Sequence, residues 1–132
     1  MVSAFALDHI VLVVADAERS LAWYTRYAGL ASVNVEQWRA GQDPFPSLRV
    51  DASTIIDFVE GEPTERGHLD HLCLVVSEAD LVTTAEDSTL EVVGRGERSG
   101  ARGIGQSVYV RDPDGLLVEF RCYPGAAKSP VV

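Results

Sequence analysis

The chain has 132 residues, of which 46% are hydrophobic, and its 20 acidic and 11 basic side chains give a formal net charge of −9. This length fits a single domain with a hydrophobic core of its own. The acidic balance argues against a nucleic-acid partner, because binding to a phosphate backbone needs a basic surface.

The first half of the chain predicts the element order β-α-β-β-β. Apolar, β-branched residues 7–14 predict a buried strand. Asp16 is a suitable N-cap for a helix over residues 17–28, and Gly29 is suited to end it. Three further strands are predicted from alternating or β-branched residues, and they cover residues 31–38, 47–50 and 54–60.

The second half repeats this order after a polar connector at residues 61–67. A shorter helix is predicted over residues 80–87, and glycine-rich residues 94–103 predict a long mobile loop. The four strands of this half are predicted over residues 69–76, 90–93, 104–111 and 116–123. The tail, residues 125–132, is expected to be flexible.

The sequence has no targeting or membrane signal that we recognise. No apolar run reaches the roughly 18 residues that span a bilayer, and the first residues lack the basic start and apolar centre of a signal peptide. We therefore expect a cytoplasmic protein with no membrane partner. Cys73 and Cys122 form neither a zinc-finger spacing nor a disulfide framework, and we interpret them as buried strand thiols.

One short motif occurs twice and relates the two halves. Leu7-Asp8-His9 opens the first strand, and Leu69-Asp70-His71 opens its counterpart 62 residues later. Asp57 and Glu119, each within an apolar strand, are separated by the same 62 residues. Repetition at a fixed spacing indicates a duplicated folding unit. We therefore predict one α+β domain over residues 1–132, made of two βαβββ modules at about residues 5–61 and 67–124.

The repeated polar residues predict a metal centre. A charged side chain among apolar neighbours is costly unless it is paired or bound to a metal ion, and four such residues hold matched positions: His9, Asp57, His71 and Glu119. If the modules pack about a pseudo-two-fold axis, these side chains converge. Two imidazoles and two carboxylates offset the charge of a divalent ion and suit Zn, Ni, Co, Mn or Fe.

Each of these residues also has an ordinary structural explanation. A single strand histidine is usually a hydrogen-bonded or surface residue. Glu119 can pair with Arg111 or Arg121 on the sheet surface, and Asp57 can face water. Asp57 also reaches roughly 1.5 Å less far than a glutamate would, which leaves its ligation open.

Taken together, these motifs resemble those of the vicinal oxygen chelate superfamily. The motifs are the two strand openings, Trp23-Tyr24 with Gly29-Leu30, and the closing segment Tyr109-Val110-Arg111-Asp112-Pro113-Asp114-Gly115-Leu116-Leu117-Val118-Glu119-Phe120. The superfamily includes glyoxalase I, methylmalonyl-CoA epimerase, fosfomycin resistance enzymes, extradiol dioxygenases and bleomycin resistance proteins. The likeness covers about residues 6–123 and implies modules that form a curved mixed sheet, the glyoxalase/bleomycin resistance/dihydroxybiphenyl dioxygenase-like fold, and often a homodimer.

The resemblance implies metal ligation by His9, His71 and Glu119. Glyoxalase- and epimerase-like members have Glu or Gln where this chain has Asp57, and this departure leaves a four-ligand geometry open. Without Asp57, two histidines and one carboxylate remain, which is the set that iron-dependent dioxygenases use.

Three functions follow as hypotheses. The first is a metal-dependent lyase or isomerase of the glyoxalase I-like type, which acts on a small oxygenated substrate that chelates the ion. In it the ion stabilises an enediolate-like oxyanion and Glu119 or Asp57 is the general base. An anionic substrate group would be bound by candidate arginines, namely Arg98, Arg102 and Arg121.

The second hypothesis is an extradiol-type dioxygenase on three ligands, with Tyr109 interpreted as strand packing rather than as an acid or base. The third is a metal-free, drug-binding protein of the bleomycin-resistance type. Its apolar cleft would be lined by aromatic side chains, namely Trp23, Trp38, Phe45 and Phe58. The alternative for these aromatics is ordinary core packing. Retention of His9, His71 and Glu119 counts against the metal-free hypothesis.

Overall fold

A computed structural model of the chain describes residues 7–62, 69, 71–100 and 103–124. The chain divides into two units between residues 63 and 64. Each unit has its own four-stranded mixed sheet flanked by helix, which confirms the predicted α+β fold of repeated modules. The predicted flexible tail, residues 125–132, lies outside the described residues.

The described part of unit one contains six elements: β1 (His9–Val14), α1 (Ala17–Ala28), β2 (Ala31–Ser32), α2 (Val35–Arg39), β3 (Ser47–Asp51) and β4 (Thr54–Glu60). Its strand order is β1-β4-β3-β2. The β1 and β4 strands are parallel, and the other neighbouring strands are antiparallel. Parallel strands cannot be joined by a tight turn, so the intervening helices and strands carry the chain back to the start of β4.

Unit two repeats this arrangement with five elements: β5 (His71–Val75), α3 (Glu78–Glu86), β6 (Glu91–Gly100), β7 (Gly103–Arg111) and β8 (Leu117–Cys122). Its strand order is β5-β8-β7-β6, and again only the first pair is parallel among the described strands. The parallel pairs β1–β4 and β5–β8 carry all four repeated polar residues.

The first helix forms where the sequence predicts it. The Asp16 side chain accepts a hydrogen bond from the backbone N–H of Arg19 at 3.1 Å and caps the first turn. Gly29 ends the helix at a φ of 67°, in the left-handed region that glycine adopts without strain. The buried ring of Tyr24 packs 5.4 Å from that of Phe58, which ties α1 to β4 in the core of unit one.

The predicted strand over residues 31–38 is wrong beyond Ser32, because α2 begins at Val35. The hydroxyl oxygen of Ser32 accepts a hydrogen bond from the Val35 backbone N–H at 3.0 Å. The Asn34 side chain accepts another from the Ser47 N–H at 2.8 Å. The local bond from Ser32 competes with a strand ladder where α2 begins, and the bond from Asn34 ties this turn to β3.

The predicted mobile loop at residues 94–103 is also wrong. The β6 and β7 strands pair through this segment, from Gly94 opposite Tyr109 to Gly100 opposite Gly103, with a register shift before Gly94. Gly96 adopts a φ of 148° within the strand. The glycines therefore permit a shifted, twisted strand pair where composition alone indicates a loop. Residues 101–102 of this segment lie outside the described residues.

The two cysteines differ in their environments. Cys122 is buried, as expected for a strand thiol, but Cys73 is exposed, so that prediction is wrong for Cys73. Cys73 lies on β5, which comes at the end of the strand order of its sheet.

In the described part of the chain, no helix has the length and apolar character needed to cross a membrane. The cytoplasmic location stays a prediction.

Candidate functional site

Strand pairing places one histidine beside one carboxylate in each unit. Asp57 on β4 lies opposite Val11, two residues beyond His9, and Glu119 on β8 lies opposite Cys73, two residues beyond His71. Residues two apart in a strand share a face of the sheet. The repeat in the sequence therefore becomes two equivalent histidine–carboxylate pairs, which we call the unit-one and unit-two half-sites.

The distances within the half-sites are short. The Nε2 atom of His71 lies 3.3 Å from Oε1 of Glu119, and Nε2 of His9 lies 3.9 Å from Oδ2 of Asp57. Both carboxylate side chains are nearly buried, whereas the histidines are partly exposed. The alternative that Asp57 simply faces water is therefore wrong.

These pairs fit the donors of a divalent metal ion. Two ligands at about 2.1 Å from one ion lie roughly 3.0–3.4 Å apart at octahedral or tetrahedral angles. The unit-two pair has this separation, and the unit-one pair is slightly wider. Among the described residues no three His, Cys, Asp or Glu side chains gather at one point. Each unit thus brings together two of the four predicted ligands.

Asp8 supports the unit-one half-site, although sequence reasoning missed it. Its carboxylate lies 2.8 Å from Nδ1 of His9, which leaves Nε2 as the nitrogen that faces Asp57. This hydrogen bond, together with the Asp57 charge, raises the pKa of His9 above its ordinary value. A carboxylate behind a histidine is the usual outer partner of a metal ligand. The signal was present in the repeated Asp-His pair of the two strand openings.

Glu119 is held by a buried cluster of donors. Its Oε2 atom accepts hydrogen bonds from the Ser107 hydroxyl at 2.7 Å and from Nε and Nη2 of Arg121 at 3.0 and 2.8 Å. Burial by itself raises the pKa of Glu119, but these hydrogen bonds and the guanidinium charge outweigh it and hold that pKa below its ordinary value. Glu119 thus pairs with Arg121, but the pair is buried rather than on the sheet surface as the alternative had it. Arg111 instead donates to the Gly115 carbonyl.

Asp57 has a simpler environment. The Ser47 hydroxyl donates a hydrogen bond of 2.6 Å to its Oδ1 atom, and its Oδ2 atom faces His9. The residue that corresponds to Arg121 in the repeat is Val59. The two half-sites therefore share a histidine, a carboxylate and a serine, but the buried guanidinium belongs to unit two alone among the described residues.

The predicted substrate-binding arginines have different surroundings. The Arg98 guanidinium is exposed and lies 5.6 Å from the ring centre of Tyr109, whose ring is 6.2 Å from that of His71. Burial, followed by the charge of Glu119, raises the pKa of Tyr109. Arg121 is buried on Glu119, and Arg102 lies outside the described residues. Arg98 and Tyr109 thus border the unit-two half-site.

Of the aromatic residues considered for an apolar cleft, Phe58 lies in the core and Trp23 is half-buried beside it. The Phe58 side chain is fully buried against Tyr24. The Trp23 ring packs edge-on against the same tyrosine at a centroid distance of 4.8 Å. This packing favours the core explanation for Trp23 and Phe58.

The fold and the half-sites define a class: duplicated βαβββ proteins whose parallel strand pairs each present a histidine and a buried carboxylate. Residues 6–120 match the family described as the Glyoxalase/Bleomycin resistance protein/Dioxygenase superfamily. The chain belongs to this superfamily, and the resemblance seen in the sequence is confirmed.

Relatives of known sequence and structure support this family assignment. Virulence protein STM3117 of Salmonella typhimurium is 32% identical over 124 residues, or 89% of this chain and 83% of that protein. Its crystal structure matches with a TM-score of 0.72 at 28% identity, covering 92% of this chain and 99% of its own. Glyoxalase domain-containing protein RDO1 of Mycosarcoma maydis is 33% identical over 131 residues, 94% of this chain and 72% of its own.

A more distant likeness concerns the fold alone. The crystal structure of the fosfomycin resistance protein FosX from Mesorhizobium loti matches with a TM-score of 0.66 at 17% identity, and the match covers 95% of this chain and 96% of that one.

Proposed function

We propose that this protein is a divalent-metal-dependent enzyme of the glyoxalase-like lyase or isomerase type. The observation that carries the proposal is the pair of matched half-sites, in which a histidine Nε2 atom faces a buried carboxylate oxygen at 3.3 and 3.9 Å. Membership in the superfamily supports it. The substrate is a small oxygenated molecule that chelates the ion, and the protein works as a cytoplasmic homodimer.

The proposed ligands of one ion are His9, Asp57, His71 and Glu119. Mixed imidazole and carboxylate ligation favours Zn, Ni, Co, Mn or Fe. When bound, the ion would polarise a carbonyl or enolate oxygen of the substrate. Asp8 binds Nδ1 of His9, so that Nε2 would be the nitrogen offered to the ion, and Ser107 and Arg121 orient Glu119.

The proton transfer is assigned to Asp57 rather than to Glu119. The Arg121 guanidinium and the three hydrogen bonds on Oε2 hold the pKa of Glu119 below its ordinary value, which makes Glu119 a weak proton acceptor. The described contacts of Asp57 include one hydroxyl, on Oδ1, and its Oδ2 atom faces the partly exposed His9. Asp57 therefore acts as the general base at Oδ2, and Glu119 acts as a ligand.

Arg98 is the proposed contact for an anionic group of the substrate. Its guanidinium is exposed and stacks over Tyr109, beside the unit-two half-site. A guanidinium that is already positioned by an aromatic ring loses little conformational freedom when it binds an anion. Arg102 stays a predicted second contact.

A second candidate function is an extradiol-type dioxygenase, and the wider His9–Asp57 separation of 3.9 Å favours it. If Asp57 stays outside the coordination sphere, two histidines and one carboxylate remain, the set suited to iron(II) oxygenases. Bound iron and oxygen consumption on a catechol would replace the lyase or isomerase proposal with this one.

Metal analysis of the purified protein tests the proposal. We expect a stoichiometric divalent ion in the wild type and its loss in His9→Ala and in Glu119→Ala. Glu86→Ala is the matched control, because this exposed carboxylate lies on α3 and its removal should leave the metal content unchanged. Absence of metal after careful loading would instead favour a metal-free binder, and mass spectrometry of a co-purified ligand would then identify its cargo.

A further inference from the structure

Glu119 and Asp57 hold equivalent positions in the repeat, but within the described ranges a guanidinium binds Glu119 and none binds Asp57. Nε and Nη2 of Arg121 both donate to Oε2 of Glu119, at 3.0 and 2.8 Å, and Ser107 adds a third donor at 2.7 Å. Arginine commonly places one donor on each oxygen of a carboxylate. Here both donors meet a single oxygen, and Oε1 is the atom that faces His71.

The repeat does not require an arginine at this place. The corresponding residue of unit one is Val59, and unit one forms the same four-stranded sheet with it. A buried guanidinium is costly to desolvate, and an apolar residue often serves the fold equally well. We therefore infer that Arg121 has a role other than stabilising the fold of the module.

The guanidinium of Arg121 is also anchored on its far side. Its Nη1 atom donates to the Arg98 carbonyl oxygen at 3.2 Å, and 4% of the residue is exposed. Since the same planar group is bound to β6 and to Glu119, it has little freedom to move. Glu119 is consequently held in one orientation relative to the strand that carries Arg98.

This geometry has a consequence for the choice of ion. A carboxylate with one oxygen filled by three donors has only its other oxygen to offer to a metal. One-oxygen ligation suits four-coordinate Zn²⁺, whereas Ca²⁺ takes about six to eight oxygen ligands and often both oxygens of a carboxylate. We propose that Arg121 is a positioning residue that restricts Glu119 to ligation through Oε1 and thereby makes the centre select small ions of low coordination number.

The inference rests on the proposed metal centre, and the ratio of two affinities tests it. The affinities of the full chain for Zn²⁺ and Ca²⁺ are measured by chelator competition and calorimetry in the wild type and in Arg121→Met. Loss of the guanidinium charge strengthens the attraction for both divalent ions alike, so the ratio reports ligand geometry. We expect the Zn²⁺/Ca²⁺ affinity ratio to fall about 10- to 100-fold, which is the loss of metal affinity that usually follows mutation of a residue that holds a metal ligand.

Arg111→Met is the matched control for this experiment. Arg111 lies on β7, and its guanidinium donates to the Gly115 carbonyl oxygen. The control removes the same charge from unit two without touching Glu119. The Zn²⁺/Ca²⁺ ratio should therefore stay within about twofold of the wild type.

Infrared spectroscopy gives a second readout. In the zinc-loaded minus metal-free difference spectrum, the separation of the two carboxylate stretching bands distinguishes one-oxygen from two-oxygen ligation. We expect the one-oxygen pattern in the wild type and the two-oxygen pattern in Arg121→Met. Glu119→Gln removes the band and so identifies it.

A milder variant covers the case in which Arg121→Met fails to fold. Ser107→Ala deletes one of the three donors to Oε2, and we expect a smaller fall of the Zn²⁺/Ca²⁺ ratio in the same direction. If the folded variant keeps the wild-type Zn²⁺/Ca²⁺ affinity ratio and the wild-type carboxylate bands, the role of Arg121 is overturned. The proposed metal centre is unaffected by that result. A wild-type protein that binds no ion overturns the proposed metal centre and this inference together.

Discussion

The hydroxyls of Ser47 and Ser107 reach the buried carboxylates from positions that are not equivalent in the repeat. Ser47 lies opposite Asp57 in the sheet, whereas Tyr109 lies opposite Glu119 and Ser107 lies two residues before Tyr109, opposite Arg121. Both hydrogen bonds are nevertheless short, at 2.6 and 2.7 Å. In unit two, the position next to the carboxylate is thus occupied by a tyrosine that borders the half-site.

The two serines are expected to differ in their contribution to stability. Ser47→Ala removes the described hydroxyl donor of Asp57 and should cost about 1–3 kcal/mol. Ser107→Ala should cost less, because Glu119 keeps the guanidinium of Arg121. Urea unfolding measures both free energies. Ser53→Ala, on the exposed β3–β4 turn, is the control, and equal losses in Ser47→Ala and Ser107→Ala would contradict the expectation.

Asp8 is expected to control the protonation of His9. Its hydrogen bond raises the pKa of His9, so the folded state favours the imidazolium. The resulting stabilisation is present below the ordinary histidine pKa and is lost as the pH rises through the raised value. Asp8→Asn should lower the pKa of His9, as measured by NMR titration of the metal-free protein.

Asp16→Asn is the control for this titration. It removes a carboxylate from the far end of β1 while keeping a residue that caps α1 well. A pKa of His9 that is the same in Asp8→Asn as in the wild type would show that the hydrogen bond contributes nothing.

At the scale of elements, β6 is the strand that the sequence misrepresents most, because it continues through a predicted loop and pairs with β7. A comparison of two glycines, Gly105 on β7 and Gly94 on β6, tests how closely β7 packs on β8. A Cβ atom at Gly105 would lie 2.7 Å from the Cys122 carbonyl oxygen and 3.2 Å from Cγ of Arg121, whereas one at Gly94 would meet only Tyr109, at 3.9 Å, among the described neighbours. A strand that did not pack closely on β8 would accept an alanine at Gly105.

Gly105→Ala is therefore expected to destabilise the protein by about 1–3 kcal/mol through overpacking. Gly94→Ala, the matched control, should change stability by less than about 0.5 kcal/mol. Thermal and urea unfolding of the two variants measure the difference. Equal stabilities would mean that β7 and β8 are not packed as described.

At the scale of the whole molecule, the proposed centre links ligands from both units to one ion. Zinc should then raise the melting temperature, since a ligand at 100 times its dissociation constant adds about 2.7 kcal/mol of stability. We expect this increase to vanish in His9→Ala and equally in His71→Ala. Calorimetric stoichiometry should give one ion per chain, and addition of a chelator should reverse the effect.

A different stoichiometry would contradict the shared centre. Two ions per chain, with half of them kept in each single variant, would mean that each half-site binds its own ion. The measured stoichiometry therefore separates one duplicated site from two independent ones.

The sequence alone determined the duplicated architecture and the residues of the two half-sites. Strand alternation and the constant spacing of 62 residues between His9 and His71, and between Asp57 and Glu119, are periodic signals that need no tertiary information. The helix α1 was also predictable, because the residues that begin and end it, Asp16 and Gly29, directly flank it in the sequence. These parts depend on residues that are near one another in sequence or repeated in it.

Only the tertiary structure decided how the carboxylates are held. The three donors on Oε2 of Glu119 come from β7 and β8, and their meeting depends on the register between those strands. The two mispredicted segments have the same kind of cause. The helix α2 is tied to β3 by a side-chain hydrogen bond from Asn34 to Ser47, and β6 continues through a predicted loop because it pairs with β7. Amino-acid composition does not reveal either contact. Register is a relation between distant segments, and so it emerges only when the chain folds.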